Sequence, residues 1–84
     1  MTAINRYIGA MMERITSDPD ICGGKPTIRG TRMRVLDVLE LLAAGASHDE
    51  IVEDYPWVER DDINACLTYA AEQARHPVIA IAAE

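Results

Sequence analysis

From Val35 onward apolar side chains return with helical spacing. Val35, Val38, Leu39 and Leu42 stand at i, i+3, i+4 and i+7, with Asp37 and Glu40 on the other face. Gly45 supplies a left-handed cap that ends this first helix. Ser47-His48-Asp49-Glu50 then reads as a capping box, Ser at the N-cap and Glu three residues on. The second helix carries Ile51, Val52 and Tyr55, and Pro56 stops it. A third helix is predicted from about Arg60 to Arg75, with Ile63, Cys66, Leu67, Ala70 and Ala74 as its buried face. Asp61 and Asp62 in its first turn suit the positive end of the helix dipole, and Pro77 closes it.

Upstream the pattern is different. Ile4, Ile8, Met11, Met12 and Ile15 fit a helical stripe, but a strand ending near Thr16 fits equally well. Ser17-Asp18-Pro19-Asp20 is a turn, since Ser and Asp bond to local backbone and Pro fixes φ. Gly23-Gly24, Pro26 and Gly30 keep the following stretch out of a helix. Extended pieces around Ile15 and around Met33 to Val35 are expected to pair as a small two-stranded sheet. The predicted fold is therefore mainly α. A three-helix, helix-turn-helix unit of homeodomain-like plan follows a small β element over about residues 11–35, and an apolar C-terminal tail ends the chain. The expected organisation is an N-terminal extension over 1–14, a helix-turn-helix domain over 15–76 and the tail over 77–84.

Eighty-four residues amount to one domain with a small core. With no Phe and only four other aromatic residues, that core must be aliphatic. Cys22 and Cys66 belong to no CxxC pair, and His48 and His76 complete no metal-ligand spacing, so reduced thiols in a cytoplasmic protein are expected, with no metal or cofactor. No signal peptide or membrane-length apolar run is present. The net charge of −6 argues against unspecific nucleic-acid binding, but the charges are unevenly placed. Lys25, Arg29, Arg32 and Arg34 fall within ten positions, and no acid lies between Cys22 and Leu36. Nine of the fourteen acids then lie between Asp37 and Asp62, so a basic block precedes an acidic body.

The block GGKPTIRGTR, residues 23–32, has two readings. Its glycines let backbone approach a surface closely, and its cations can grip phosphates, the Arg forks bidentately. Alternatively the glycines and Pro26 only shape a turn, and the arginines pair with the chain's own acids, such as Asp18, Asp37 and Glu40. Arg32, beside Thr31 at the entry to the first helix, is the one most suited to a structural role. A nucleotide-binding P-loop is excluded, because Pro26 separates Lys25 from Thr27 and no helix follows directly. In a DNA reader the third helix would face the groove, where Arg60 can read guanine and Asn64 adenine. Glu59, Asp61 and Asp62 at its start would repel phosphate, which shifts the attraction to the basic block. No catalytic constellation appears, and the chain is expected not to be an enzyme. His48 sits at a helix start, where an exposed, idle ring is expected. The apolar segments that hold Ile4, Ile8 and Met11, and Val78, Ile79 and Ile81, either pack on the core or meet a partner. A homodimer is the default expectation.

The strings Ile15-Thr16-Ser17-Asp18-Pro19, Gly24-Lys25-Pro26-Thr27-Ile28-Arg29-Gly30-Thr31-Arg32, Leu42-Ala43-Ala44-Gly45 and Ile51-Val52-Glu53-Asp54-Tyr55-Pro56, with Val35 between them, give a further indication. In order and spacing they resemble domain-of-unknown-function family four hundred and thirty-three, described as antitoxins with a VapB-like DNA-binding domain. The resemblance runs from about Ile15 to Ala71. It implies a homeodomain-like helix-turn-helix fold and an antitoxin that neutralises a PIN-like ribonuclease toxin and binds its own promoter. The alternative expectation is an acidic protein-interaction module that does not bind DNA.

Overall fold

The computed structural model describes residues 9–75. It is mainly helical, with a small antiparallel sheet. Residues 9–12 form a helical turn that buries Met11 and closes with the Arg14 amide on the Met11 carbonyl at 3.1 Å. The helical option for this stretch is therefore the observed one over the residues described. Strand β1, Ile15–Thr16, follows directly and pairs with β2, Thr27–Ile28, in the register Ile15 to Ile28 and Thr16 to Thr27.

The intervening loop turns twice. Asp18 accepts the Ile21 amide on its carbonyl and the Asp20 amide on its side chain, both at 2.9 Å, as the Asp-Pro-Asp composition predicts. A short 3-10 turn, Cys22–Gly24, then runs through three successive left-handed residues, with φ of 52°, 65° and 85°. Two of these are glycines, which pay no steric penalty there.

The expected partner of β1 was the stretch from Met33 to Val35, and this is corrected by the structure. Met33 to Val35 instead lies along the far side of β2. Thr27 bridges Arg34, the Ile28 amide donates to the Met33 carbonyl at 2.9 Å, and the Val35 amide donates to the Pro26 carbonyl at 2.9 Å. The reason is the tightness of the turn between Ile28 and Met33. Gly30 takes a φ of 81°, while the Thr31 hydroxyl donates to the Ile28 carbonyl and accepts the Met33 amide. So short a turn folds Met33 to Val35 back onto β2, the strand just before it, and not onto β1.

Three helices complete the fold: α1, Val35–Ala43; α2, His48–Asp54; and α3, Arg60–Arg75. Helix α1 ends in a Schellman motif, with Gly45 at φ 102° and the Ala46 amide reaching the Leu41 carbonyl. The capping box of α2 is present, with the Ser47 and Glu50 side chains each accepting the other's backbone amide. The three helices pack on one another, and β1 packs on α3. Their shared core is Ile28, Val35, Val38, Ile51, Val58, Ile63 and Cys66. The expected face of α3 needs correction: Asp62, Ile63, Ala65 and Cys66 are buried, whereas Leu67 and Ala74 are exposed. No helix among the described residues is long and apolar enough to cross a membrane.

Candidate nucleic-acid interface

The backbone just described splits the basic block into sides. Lys25 and Arg34 border a shallow apolar groove with Val35, Leu36, Leu39 and Tyr69. Arg29 and Arg32 flank Trp57 from two directions. Arg29 lines a polar cleft with Arg14, Glu59 and Asp62, and Arg32 lines a larger groove with Met33, Glu40, Leu41 and Tyr55. The four cations therefore do not form one patch.

They also differ in how they are held. Arg34 is committed to Asp37. Its Nη2 donates to Oδ1 at 2.6 Å, its Nε to Oδ2 at 3.2 Å, and its backbone amide to Oδ2 at 3.0 Å. These bonds from Arg34 hold the Asp37 carboxyl below its ordinary pKa and raise that of the guanidinium. Arg34 thus caps α1. Lys25, Arg29 and Arg32 are exposed and make no ion pair among the described residues. Among the described residues Arg32 hydrogen-bonds through its backbone alone, its carbonyl accepting the Cys22 thiol at 3.3 Å.

The expected base readers on α3 are both engaged. Arg60 donates to Asp49 at 2.7 Å, tying α3 to the start of α2. Asn64 shares a hydrogen bond with His48 Nε2 at 3.3 Å, so His48 is half-buried rather than idle. Met11, expected at a partner surface, is buried within the chain. Ile4, Ile8, Val78, Ile79 and Ile81 lie outside the described residues.

Arg14 carries a role that pattern reading did not assign. Its Nη1 donates to Glu59 at 3.0 Å and to Asp62 at 2.9 Å, and its Nη2 lies 3.6 Å from Asp61. The three acids that would repel phosphate at the start of α3 thus share one cation, and these bonds, to Glu59 first, raise the arginine's pKa. Asp62 is 7% exposed and also accepts the Glu59 amide at 2.9 Å. A cluster of three acids at one helix start is the signal that asks for such a cation. Trp57, which no periodic stripe singles out, is 58% exposed.

The two thiols contrast. Cys66 is fully buried, and burial, with Asp62 adding to it, pushes its pKa up to about 12. Iodoacetamide at neutral pH is therefore expected to alkylate the half-buried Cys22 and to spare Cys66 until the chain unfolds, which peptide mass spectrometry reads directly. Equal labelling of both would contradict the packing of α3. The same shift costs stability in alkali: between the ordinary thiol value of 9.0 and about 12 the unfolded chain ionises and the folded chain does not. Among the described residues, no group of three His, Cys, Asp or Glu side chains is placed to hold a metal ion.

Comparison with known proteins places these features in a family. Residues 15–70 match the family described as protein of unknown function DUF433. An uncharacterized protein of Sinorhizobium fredii, y4eO, is 41% identical over 63 residues, which cover 75% of this chain but 28% of that protein, so the chain spans under a third of its relative's length. The crystal structure of a DUF433 member from Anabaena variabilis superposes with a TM-score of 0.71 at 28% identity, covering 88% of this chain and 72% of that one. The matched stretch takes in both strands and most of the three helices, and the chain belongs to the DUF433 family.

Proposed function

We propose that this chain is a cytoplasmic, DNA-binding regulator of the antitoxin kind. In this reading α1 to α3 act as a homeodomain-like helix-turn-helix unit, and the segment from Lys25 to Arg32 grips the phosphate backbone of its own promoter. One observation carries the reading. Among the described residues Arg14, Arg34, Arg60 and Arg75 are paired with acids, while Lys25, Arg29 and Arg32 are not, and all three fall within eight positions, on either side of β2. Where acids outnumber bases fourteen to eight, unpaired cations gathered in one segment are available to an external anion. The antitoxin half rests on the family resemblance. The apolar segments with Ile4 and Ile8, and with Val78, Ile79 and Ile81, would hold a PIN-like ribonuclease.

Because Arg60 and Asn64 are engaged within the chain, most of the attraction is sequence-independent. With two or three phosphate contacts per chain, log affinity should fall against log salt with a slope of about −1.8 to −2.7 per chain. An electrophoretic mobility shift on the upstream promoter at low salt tests this. R29E should abolish the shift and R60A should leave most of it. No shift, alone or with the ribonuclease partner, would remove the DNA-binding half. The acid-rich start of α3 would then favour an acidic protein-interaction module. Co-purification with a neighbouring nuclease-like reading frame, and its loss on deletion of residues 77–84, tests the antitoxin half.

A further inference from the structure

The groove beside Trp57 encloses about 610 Å³, and the DNA-binding reading makes no use of its apolar floor. Its lining combines Met33, Leu41, Tyr55 and Trp57 with Arg32, Asp37 and Glu40. Trp57 is fixed rather than loose. Its ring meets Tyr55 edge-to-face at a centroid distance of 5.7 Å and an angle of 81°, and the Val58 amide closes the turn on the Tyr55 carbonyl at 2.8 Å. A large aromatic side chain held in one place and left 58% exposed loses little entropy on being covered, which is the usual character of an interface anchor.

The charges around it select the occupant. Asp37 is taken by Arg34. Arg32 and Glu40 are both exposed and form no ion pair among the described residues, although the field of Glu40 reaches Arg34. The groove therefore has an apolar floor with one available charge of each sign, one on the loop and one on α1. A surface of that kind is complementary to itself. About a twofold axis, Arg32 of each copy meets Glu40 of the other while the two Trp57 rings and their apolar neighbours close the centre. A wholly basic or wholly acidic partner would leave one of the two charges facing its like.

We infer that this groove is the surface through which two copies of the chain dock. The inference shares Arg32 alone with the DNA-binding reading. Arg32 then serves the second copy, and Lys25 and Arg29 remain for phosphate.

Sedimentation equilibrium of the full chain over a concentration series, without DNA, is the test. A monomer–dimer equilibrium is expected, and W57A should weaken it by about tenfold or more. R32E and E40R should each weaken it, and the double variant R32E/E40R should recover most of the loss, because reversing both charges restores the pairs. All three residues are exposed, and circular dichroism of each variant confirms the fold. A monomer at every concentration would overturn the inference. So would a dimer indifferent to W57A, which would place the contact elsewhere, or a double variant no better than the singles. A retained promoter shift by a monomeric chain would overturn the docking surface while sparing the DNA reading.

Discussion

Arg14→Met should lower the midpoint of thermal unfolding by about 8–16 °C, equivalent to ~2 kcal/mol for a domain of this size. The contacts to Glu59 and Asp61, whose side chains are 73% and 57% exposed, contribute little to this. The effect comes from Asp62. Its side chain is 9% exposed, and without Arg14 it keeps one backbone donor and no cation among the described residues. Losing the partner of a fully buried charge costs about 3–5 kcal/mol, and the part-exposure of Arg14, at 29%, reduces that. Asp62→Asn in the Arg14→Met background should recover part of the loss, since an amide oxygen still accepts the Glu59 amide without carrying a charge. Differential scanning calorimetry of the two variants and the double variant gives the coupling directly. A midpoint within about 2 °C of the parent for Arg14→Met would mean that solvent already screens the cluster.

Ile63→Ala should cost more, about 2–5 kcal/mol. Ile63 is completely buried in the cluster formed with Ile28, Val35, Val38, Ile51, Val58 and Cys66, so the vacated space has no solvent to fill it. A chain of this length has a total stability of about 4–12 kcal/mol, so the variant forfeits a large share of it. In urea the transition midpoint should fall with an unchanged slope. Leu67→Ala is the matched control. Leu67 is 41% exposed, and its loss should cost well under half as much. Equal losses at both positions would mean that α3 is rotated from the face described.

The elements with local causes were legible in the sequence. The ends of α1 and α2 follow from Gly45, from Ser47 with Glu50 and from Pro56, each acting within four residues of itself, and the helical run over Arg60–Arg75 follows equally from its periodicity. What escaped depended on contacts distant in sequence. The choice of β2 over Met33 to Val35 as partner of β1 turns on the Thr31 hydroxyl closing a turn, which periodicity does not register. The face of α3 was misjudged because Asp62, counted as solvated, is buried by Arg14 from 48 residues away. Leu67 lies outside the buried face. In the candidate site, the basic block was visible as composition. Which of its cations was spoken for was not, because Arg34 and Asp37 meet through a cap geometry and Arg29 and Arg32 are parted by Trp57.

The Arg14 bridge also bears on where this domain begins. The stretch matching the family starts at Ile15, one residue after the arginine. A fragment cut at that point would keep every matched position and all three carboxylates, and would lose their shared cation together with the buried Met11. The boundary drawn by sequence likeness and the boundary of the cooperative unit therefore differ by at least a helical turn. Excision or domain fusion should respect the second.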